Sequence, residues 1–302
     1  MNNILGGRRM NTLKAENLKY SYGKVEALKG ISFQVSDGLI GILGPNGAGK
    51  TTAMKIITTL FSIQSGDVYL NNLNYKKDLS HIRKNLGYLP QNFTTYGNLK
   101  GREFLEIIAD LKVNWDRNKM KAHIDEIIET LNMGEYIDRK IKEYSGGMKQ
   151  KLGFAQVMVG DPKVIVVDEP TVGLDPEQRN YIRELFPIIS KDRIVLATTH
   201  IVEDIESYCN HLLVIKEGTL IYNGKKENFI KEAEEMIWQG IMEGAELAKI
   251  RDTAHVLTTS QTPQGTQIKY ISKEPLTANS VRVNVNLQDA YIVHSSLTEE
   301  GR

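Results

Sequence analysis

Short apolar runs and helical periodicities alternate along the first two thirds of the chain. Residues 39–43, 164–167 and 193–199 are apolar runs of the length found in buried strands. Between these runs, segments such as residues 51–61 carry apolar residues at helical spacing. Strands that alternate with helices in this way predict an α/β fold whose mostly parallel sheet is covered on both faces.

Other segments add an antiparallel part and an inserted helical part to this frame. Residues 13–33 alternate like two strands joined by a turn, and residues 66–75 have the pattern of a hairpin. Apolar residues at helical spacing between residues 99 and 144 predict two to three inserted helices. Asp175 and Pro176 then predict a helix start, because aspartate caps helices and proline suits the first helical position.

The pattern changes after residue 229. Residues 230–248 are predicted to be helical, short alternating runs follow, and residues 287–293 predict a last helix. This mixture indicates a small α+β appendage that is separate from the main α/β domain.

These patterns lead to a domain prediction. We expect the main domain over residues 12–229, with a helical subdomain at about residues 92–158, and the appendage over residues 230–302. Residues 1–11 are expected to be a flexible N-terminus, and we expect the natural chain to start at Met10.

Composition and charge exclude several classes of protein. Lys plus Arg number 38 and Asp plus Glu 37, so no bulk charge would attract nucleic acid or an anionic membrane. The single cysteine, Cys209, fits a reducing compartment. No apolar run approaches the roughly 18 residues of a membrane span, and the start lacks the apolar core of a secretory signal. We therefore expect a soluble protein of the cell interior that reaches a membrane only through a partner.

The segment GPNGAGKTT after the first apolar run matches the phosphate-binding pattern GxxxxGK[ST] in full. Its glycines allow successive backbone N–H groups to converge on phosphate oxygens at a helix N-terminus. Lys50 would bridge the β- and γ-phosphates, and the Thr51 hydroxyl would be a ligand of Mg²⁺. The nucleotide-binding residues predicted here are Gly44, Pro45, Asn46, Gly47, Ala48, Gly49, Lys50, Thr51 and Thr52.

A pair of acids ends the apolar strand VIVV. Ligands of open α/β sheets bind beyond the carboxyl ends of the strands, which is where Asp168 and Glu169 are expected. Asp168 would hold Mg²⁺ through water. Glu169 would orient and deprotonate the attacking water, so we predict it to be a catalytic residue.

A second candidate anion site lies at Ser145, Gly146 and Gly147, which begin a predicted helix. These residues offer a hydroxyl and backbone N–H groups to an oxyanion. They have no lysine loop and no acid–base partner of their own. The residues alone do not explain why one chain needs two such sites.

The combined motifs resemble the nucleotide-binding subunit of an ATP-binding cassette (ABC) transporter. The resemblance rests on the order of the P-loop, the signature SGGMKQ at residues 145–150, the Asp168–Glu169 pair and His200, and it covers about residues 13–224. It implies a P-loop NTPase core of the ABC type, with a mostly parallel sheet, an antiparallel β subdomain and an inserted helical subdomain.

The resemblance also implies roles for further residues. Tyr22 would stack on adenine, and Gln91 would contact Mg²⁺ and the attacking water. His200 would lie near the γ-phosphate as a catalytic residue, and residues 173–175 would cross a dimer interface. The signature of one copy would serve the γ-phosphate held by the other, so two copies would enclose two ATP molecules.

Two positions depart from the family pattern. Tyr144 stands where leucine is usual, and Lys151 stands where arginine is common. Neither residue changes a backbone group that would contact phosphate, so the resemblance still implies an active ATPase. Lysine lacks the guanidinium fork, which could alter the charge geometry locally.

The resemblance implies an ATPase that binds ATP and Mg²⁺, acts as a homodimer and powers a separate membrane permease. The C-terminal appendage resembles that of bacterial drug- or antibiotic-exporting ATPases, which favours export. The permease would contact residues 93–106, with Tyr96, Leu99 and Phe104 as candidates, although Phe104 could equally pack inside the helical insert. Two alternatives stay open: a soluble ABC ATPase of translation or repair, and a regulatory subunit that holds ATP without hydrolysing it.

Overall fold

The structure is a computed structural model that describes residues 4–5, 8–199 and 201–300. The chain divides into two compact units, Met1–Asn223 and Gly224–Arg302, and this boundary falls close to the domain limit expected near residue 229. Within the predicted flexible N-terminus, Ile4–Leu5 pairs with Arg8–Arg9 in a short antiparallel ladder. The prediction that the natural chain starts at Met10 stays a prediction. It also involves residues 1–3 and 6–7, which lie outside the described residues.

The first unit contains most of the regular structure. Its strands are β1 (Ile4–Leu5), β2 (Arg8–Arg9), β3 (Thr12–Tyr22), β4 (Val25–Ser36), β5 (Gly38–Leu43), β6 (Ser65–Leu70), β7 (Leu73–Asn74), β8 (Leu86–Leu89), β9 (Val164–Asp168), β10 (Ile194–Thr198), β11 (His211–Lys216) and β12 (Thr219–Lys225). Its helices are α1 (Lys50–Ile57), α2 (Leu79–Lys84), α3 (Gly101–Lys112), α4 (Arg117–Thr130), α5 (Gly146–Met158), α6 (Pro176–Ile189) and α7 (Glu203–Glu206).

A six-stranded sheet in the order β12-β11-β5-β10-β9-β8 forms the centre of this unit. Strands β11, β5, β10, β9 and β8 pair in parallel, as predicted from the apolar runs. Every residue of β9 and β10 is buried, which explains their continuous apolar sequence. Thr198 lies opposite Ile42 on one side and Asp168 on the other, so the carboxyl ends of three strands share one edge.

A second sheet in the order β4-β3-β6-β7 is antiparallel and confirms the two predicted hairpins. Its apolar face shares one core with the central sheet and α1, represented by Leu28, Ile42 and Met54. The helical insert is formed by α3, α4 and the start of α5, so the predicted helices between residues 99 and 144 are also confirmed. These parts make the α/β P-loop NTPase fold.

The second unit is an α+β structure, as predicted. Its strands are β13 (Ile237–Met242), β14 (His255–Thr262), β15 (Gly265–Ile271) and β16 (Val281–Arg282), in the sheet order β14-β15-β13-β16. Its helices are α8 (Lys226–Glu234), α9 (Gly244–Thr253) and α10 (Leu287–Glu300). A small core holds Met242, Ile250, Ile268 and Tyr270.

The prediction of one helix over residues 230–248 is wrong. Strand β13 interrupts it and pairs antiparallel with β15, from Ile237 opposite Ile271 to Met242 opposite Thr266. The segment is rich in isoleucine, contains a tryptophan and has a glycine at Gly240, and these residues favour a strand over a helix. Over so short a run the helix and strand patterns of apolar residues are alike, and pairing with β15 determines that the segment is a strand.

Candidate functional site

The loop between β5 and α1 is held close to its neighbours by glycine. Gly49 has a φ of 108°, and a Cβ added there would lie 2.7 Å from the carbonyl oxygen of Ala27. A larger residue would therefore be both strained and blocked. Gly49 precedes Lys50 at the start of α1, so the backbone N–H groups of the first turn point into the concave side of the loop.

Lys50 is the buried cation of this loop, with only 5% of its surface exposed. Its Nζ donates hydrogen bonds to the carbonyl oxygens of Gly44 at 2.7 Å and Pro45 at 3.1 Å. Burial lowers the pKa of Lys50, and the nearby charges of Glu169 and Asp168 oppose that shift. The ammonium is thus held between the loop and the acids, which is the position a bridge to phosphate oxygens requires.

Tyr22 lies beside the first turn of α1. Its hydroxyl is 3.2 Å from that of Thr52, and its ring meets the rings of Tyr20 and Phe61 edge-on at 5.1 and 6.0 Å. The ring is 48% exposed. A fixed but half-exposed aromatic ring next to a phosphate loop fits the stacking role that the resemblance implies for Tyr22.

Asp168 ends β9 as a buried carboxylate that is 5% exposed. It accepts a hydrogen bond of 2.5 Å from the Thr198 hydroxyl. Burial raises the pKa of Asp168, the hydrogen bond from Thr198 opposes this, and the charge of Glu169 adds to the rise. Thr198 was not among the predicted site residues, although the two threonines that end the apolar run of β10 are a signal that could have found it.

Glu169 follows directly in an unusual conformation, with a φ of 47°. Its backbone N–H donates to both the carbonyl oxygen and the hydroxyl of Thr198, at 3.1 and 3.0 Å. Gln91 approaches from the loop after β8, and its Nε2 is 3.5 Å from Oε2 of Glu169. The structure therefore brings Gln91, Glu169 and Asp168 together at one edge of the sheet.

The signature segment, Ser145, Gly146 and Gly147, begins α5. Ser145 caps the helix, because its hydroxyl accepts a hydrogen bond of 3.2 Å from the N–H of Met148. No atom lies within 4 Å of a Cβ placed on Gly146, so the helix start is open. Within the described part of the chain, no hydrogen bond joins the signature segment to residues 44–52.

A cavity of about 350 Å³ lies next to the signature segment. Its other walls come from the start of α6, including Leu174, Asp175 and Gln178. Lys151 lies over the ring of Tyr181 at 4.1 Å, so the residue that replaces the common arginine ties α5 to α6. His200, the remaining predicted site residue, follows Thr199 in the chain and lies outside the described residues.

Comparison with known proteins identifies the family. Residues 28–172 match the ABC transporter family. The linearmycin resistance ATP-binding protein of Bacillus subtilis (strain 168) is 32% identical over 251 residues, which cover 81% of this chain and 80% of that protein. The chain belongs to the ABC transporter family. The Nod factor export ATP-binding protein I of Burkholderia orbicola (strain AU 1054) is 33% identical to this ABC subunit over 268 residues, 87% of each chain.

Solved structures of the family agree with the fold of this ABC subunit. An ATP-binding cassette of an ABC transporter in its ADP conformation has a TM-score of 0.65 at 25% identity, covering 81% of this chain and 99% of that one. A part of the cbiONQ transporter complex of Clostridium perfringens has a TM-score of 0.65 at 27% identity, covering 73% and 91%. The protein is an ATP-binding subunit of this family and an ATPase. Over the described residues, its helices are too short or too polar to cross a membrane.

Proposed function

We propose that this ABC subunit hydrolyses ATP with Mg²⁺ in a head-to-tail homodimer and so drives export through a separate membrane permease. The observation that carries the proposal is the group formed by Lys50, Asp168, Glu169 and Gln91 at the carboxyl ends of β9 and its neighbours. This group contains a cation for phosphate, an acid for the metal and an acid for the water. A subunit that only holds ATP would need no carboxylate beside the water-binding amide.

The residues of the phosphate loop bind and orient ATP in this proposal. The N–H groups of the loop and Lys50 bind the phosphates, and the half-exposed ring of Tyr22 stacks on the adenine. Thr51 is exposed, and its hydroxyl, the carboxylate of Asp168 and the amide oxygen of Gln91 would supply the oxygen donors that Mg²⁺ prefers. When bound there, the metal neutralises charge on the phosphates.

Glu169, the second acid of the pair, is the general base of the reaction. Glu169 accepts a proton from the attacking water, and Gln91 holds that water through its amide. By the family resemblance, we propose that His200 contacts the γ-phosphate. Burial and mutual repulsion make two adjacent carboxylates costly, so Asp168 and Glu169 favour the binding of a cation beside them.

The open signature segment supports the dimer. Ser145, Gly146 and Gly147 present a hydroxyl and N–H groups at an open helix start, and no lysine loop belongs to this segment. In a two-fold dimer each signature segment would complete the site of the other copy, and the exchange would be reciprocal. We therefore propose that each hydrolytic site combines the loop and acids of one copy with the signature segment of its partner.

Helix α3 and the loop before it carry the surface that we propose for the permease. Tyr96 is 77% and Leu111 80% exposed, and Ile107 on the same helix as Leu111 is 43% exposed. Phe104 is buried and packs on Phe93, so this residue packs inside the protein and is not part of the proposed surface. Docking here would place the protein at the inner face of the cell membrane. The names of the linearmycin resistance and Nod factor export relatives support export of a drug, antibiotic or similar compound.

The test is the ATPase rate of a Glu169→Gln variant of the full chain. Loss of a general base lowers kcat about 100-fold or more, while the affinity for ATP stays near the wild-type value. Glu129→Gln is the control, because Glu129 is an exposed acid on α4 and should keep the wild-type rate. A wild-type chain as slow as Glu169→Gln, even with its permease, would instead support a regulatory subunit that holds ATP.

A further inference from the structure

The backbone at Glu169 needs support on both sides. A φ of 47° lies in the left-handed region, which residues with a Cβ adopt when their surroundings fix them there. On the N-terminal side, the N–H of Glu169 is anchored to Thr198 of β10. On the other side, the carbonyl oxygen of Glu169 accepts a long hydrogen bond of 3.4 Å from the N–H of Val172, and Pro170, which has no N–H, offers only its carbonyl group.

The carbonyl group of Pro170 is anchored by a side chain from the signature helix. Nε2 of Gln150 donates a hydrogen bond of 2.9 Å to the carbonyl oxygen of Pro170, across 20 residues of sequence. No other hydrogen bond among the described residues reaches Pro170. Gln150 lies five residues after Ser145 and therefore belongs to the helix whose start forms the signature segment.

We infer that Gln150 is a positioning residue, which holds Glu169 in its reactive conformation and links the signature helix to the acid turn of the same chain. The inference rests on the proposed role of Glu169 as the base. Through this hydrogen bond, a displacement of α5 would act on the backbone next to Glu169. Docking of the signature segment on a nucleotide held by another copy would thus reach the acid turn of its own chain.

The test replaces Gln150 with methionine, which has a similar length and helix propensity but no N–H donor. We expect kcat to fall about 5- to 10-fold, the rate equivalent of one lost hydrogen bond, while KM for ATP changes less than about twofold. The matched control is Gln156→Met on the same helix. Gln156 donates a similar bond of 3.2 Å to the carbonyl oxygen of Tyr88 in β8, so it anchors the same helix to a neighbouring strand but not to the turn at Pro170, and it should keep the wild-type kcat.

A double mutant separates positioning from a general structural role. If Gln150 acts through Glu169, adding Gln150→Met to Glu169→Gln should leave the residual rate unchanged. The inference is overturned if Gln150→Met keeps the wild-type kcat, if it slows Glu169→Gln by the same factor as the wild type, or if Gln156→Met is equally slow. A Glu169→Gln chain that retains the wild-type rate would instead overturn the proposed function itself.

Discussion

At the scale of single residues, the main feature of the site is its buried charged groups. Lys50 and Asp168 are each 5% exposed, and for both of them burial is the largest cause of a pKa shift towards the neutral form. Such groups weaken the fold when they are charged, and they are arranged for a ligand of opposite charge. Function and stability therefore compete at these positions.

The first prediction concerns Asp168→Asn in the absence of nucleotide and metal. Because folding raises the pKa of Asp168, the folded chain binds its proton more tightly than the unfolded chain, and stability falls as pH rises through this range. The variant avoids that loss and keeps an oxygen that can accept the hydrogen bond of Thr198. We expect a gain of about 1 kcal/mol in the free energy of unfolding at neutral pH, together with loss of Mg²⁺-dependent hydrolysis.

Unfolding in denaturant at several pH values measures this gain. The difference between variant and wild type should disappear in acid below both pKa values, where Asp168 is protonated in either state. The exposed Asp110 on α3 provides the control, and Asp110→Asn should change stability little. A variant that is less stable at neutral pH, or a gain that persists in acid, would contradict the electrostatic explanation.

Local motifs predicted most of these residues because their chemistry lies within a few positions of sequence. The phosphate loop and the Asp168–Glu169 pair are of this kind. Thr198 was not predicted, and Gln150 was named only as part of the signature, without a role of its own, because each acts across the fold, over 30 and 20 residues respectively. Such contacts follow from strand register and helix packing, which a short stretch of sequence does not define.

At the scale of elements, periodicity succeeded where an element was long or fully buried. The apolar runs of β9 and β10 and the spacing in α3 and α4 were unambiguous. In the second unit, six residues of β13 were read as helix, because over that length both patterns bury similar positions. Pairing with β15 makes this segment a strand, and the strand propensity of its residues is consistent with that.

The next prediction concerns the departure from the family pattern at Tyr144, which immediately precedes Ser145. Its hydroxyl donates to the carbonyl oxygens of Tyr136 and Ile137, at 3.0 and 3.2 Å. Burial raises the pKa of Tyr144 to about 12, so the hydroxyl keeps its proton at neutral pH. We expect Tyr144→Phe to lower the free energy of unfolding by about 1 kcal/mol, because each of the two carbonyls loses one donor and keeps only its backbone donor, Arg139 for Tyr136 and Arg102 for Ile137.

Thermal or denaturant unfolding measures this loss, and the ATPase rate should change little because no phosphate-binding group is altered. Tyr96→Phe is the control, since Tyr96 is 77% exposed and should lose almost nothing. Equal stability of the two variants would show that the hydroxyl of Tyr144 does not hold the start of the signature helix.

At the scale of the whole molecule, symmetry decides which residues work together. Within one chain, Lys50 and Glu169 lie near each other, whereas the signature segment is joined to residues 44–52 by no hydrogen bond in the described part of the structure. A two-fold dimer places identical surfaces in reciprocal contact, so a defect in the signature segment and a defect in the acids would damage different sites.

This separation predicts that two inactive variants restore each other. Ser145→Arg blocks the signature segment of its own chain but leaves Glu169 intact, and Glu169→Gln does the reverse. In the mixed dimer, one site combines the intact acids of the first chain with the intact signature segment of the second. Random pairing of equal amounts yields half mixed dimers with one sound site each, so the mixture should recover up to about a quarter of the wild-type rate.

The measurement compares ATPase rates of each variant alone and of the mixture, after tagged chains have confirmed that mixed dimers form. A chain carrying both substitutions is the control. Mixed with Ser145→Arg, it cannot form a sound site, because both signature segments are then blocked. The rate should therefore rise only with Glu169→Gln as the partner of Ser145→Arg. If the mixed dimers form and stay inactive, or if Ser145→Arg alone turns over at the wild-type rate, the signature segment does not serve the other copy.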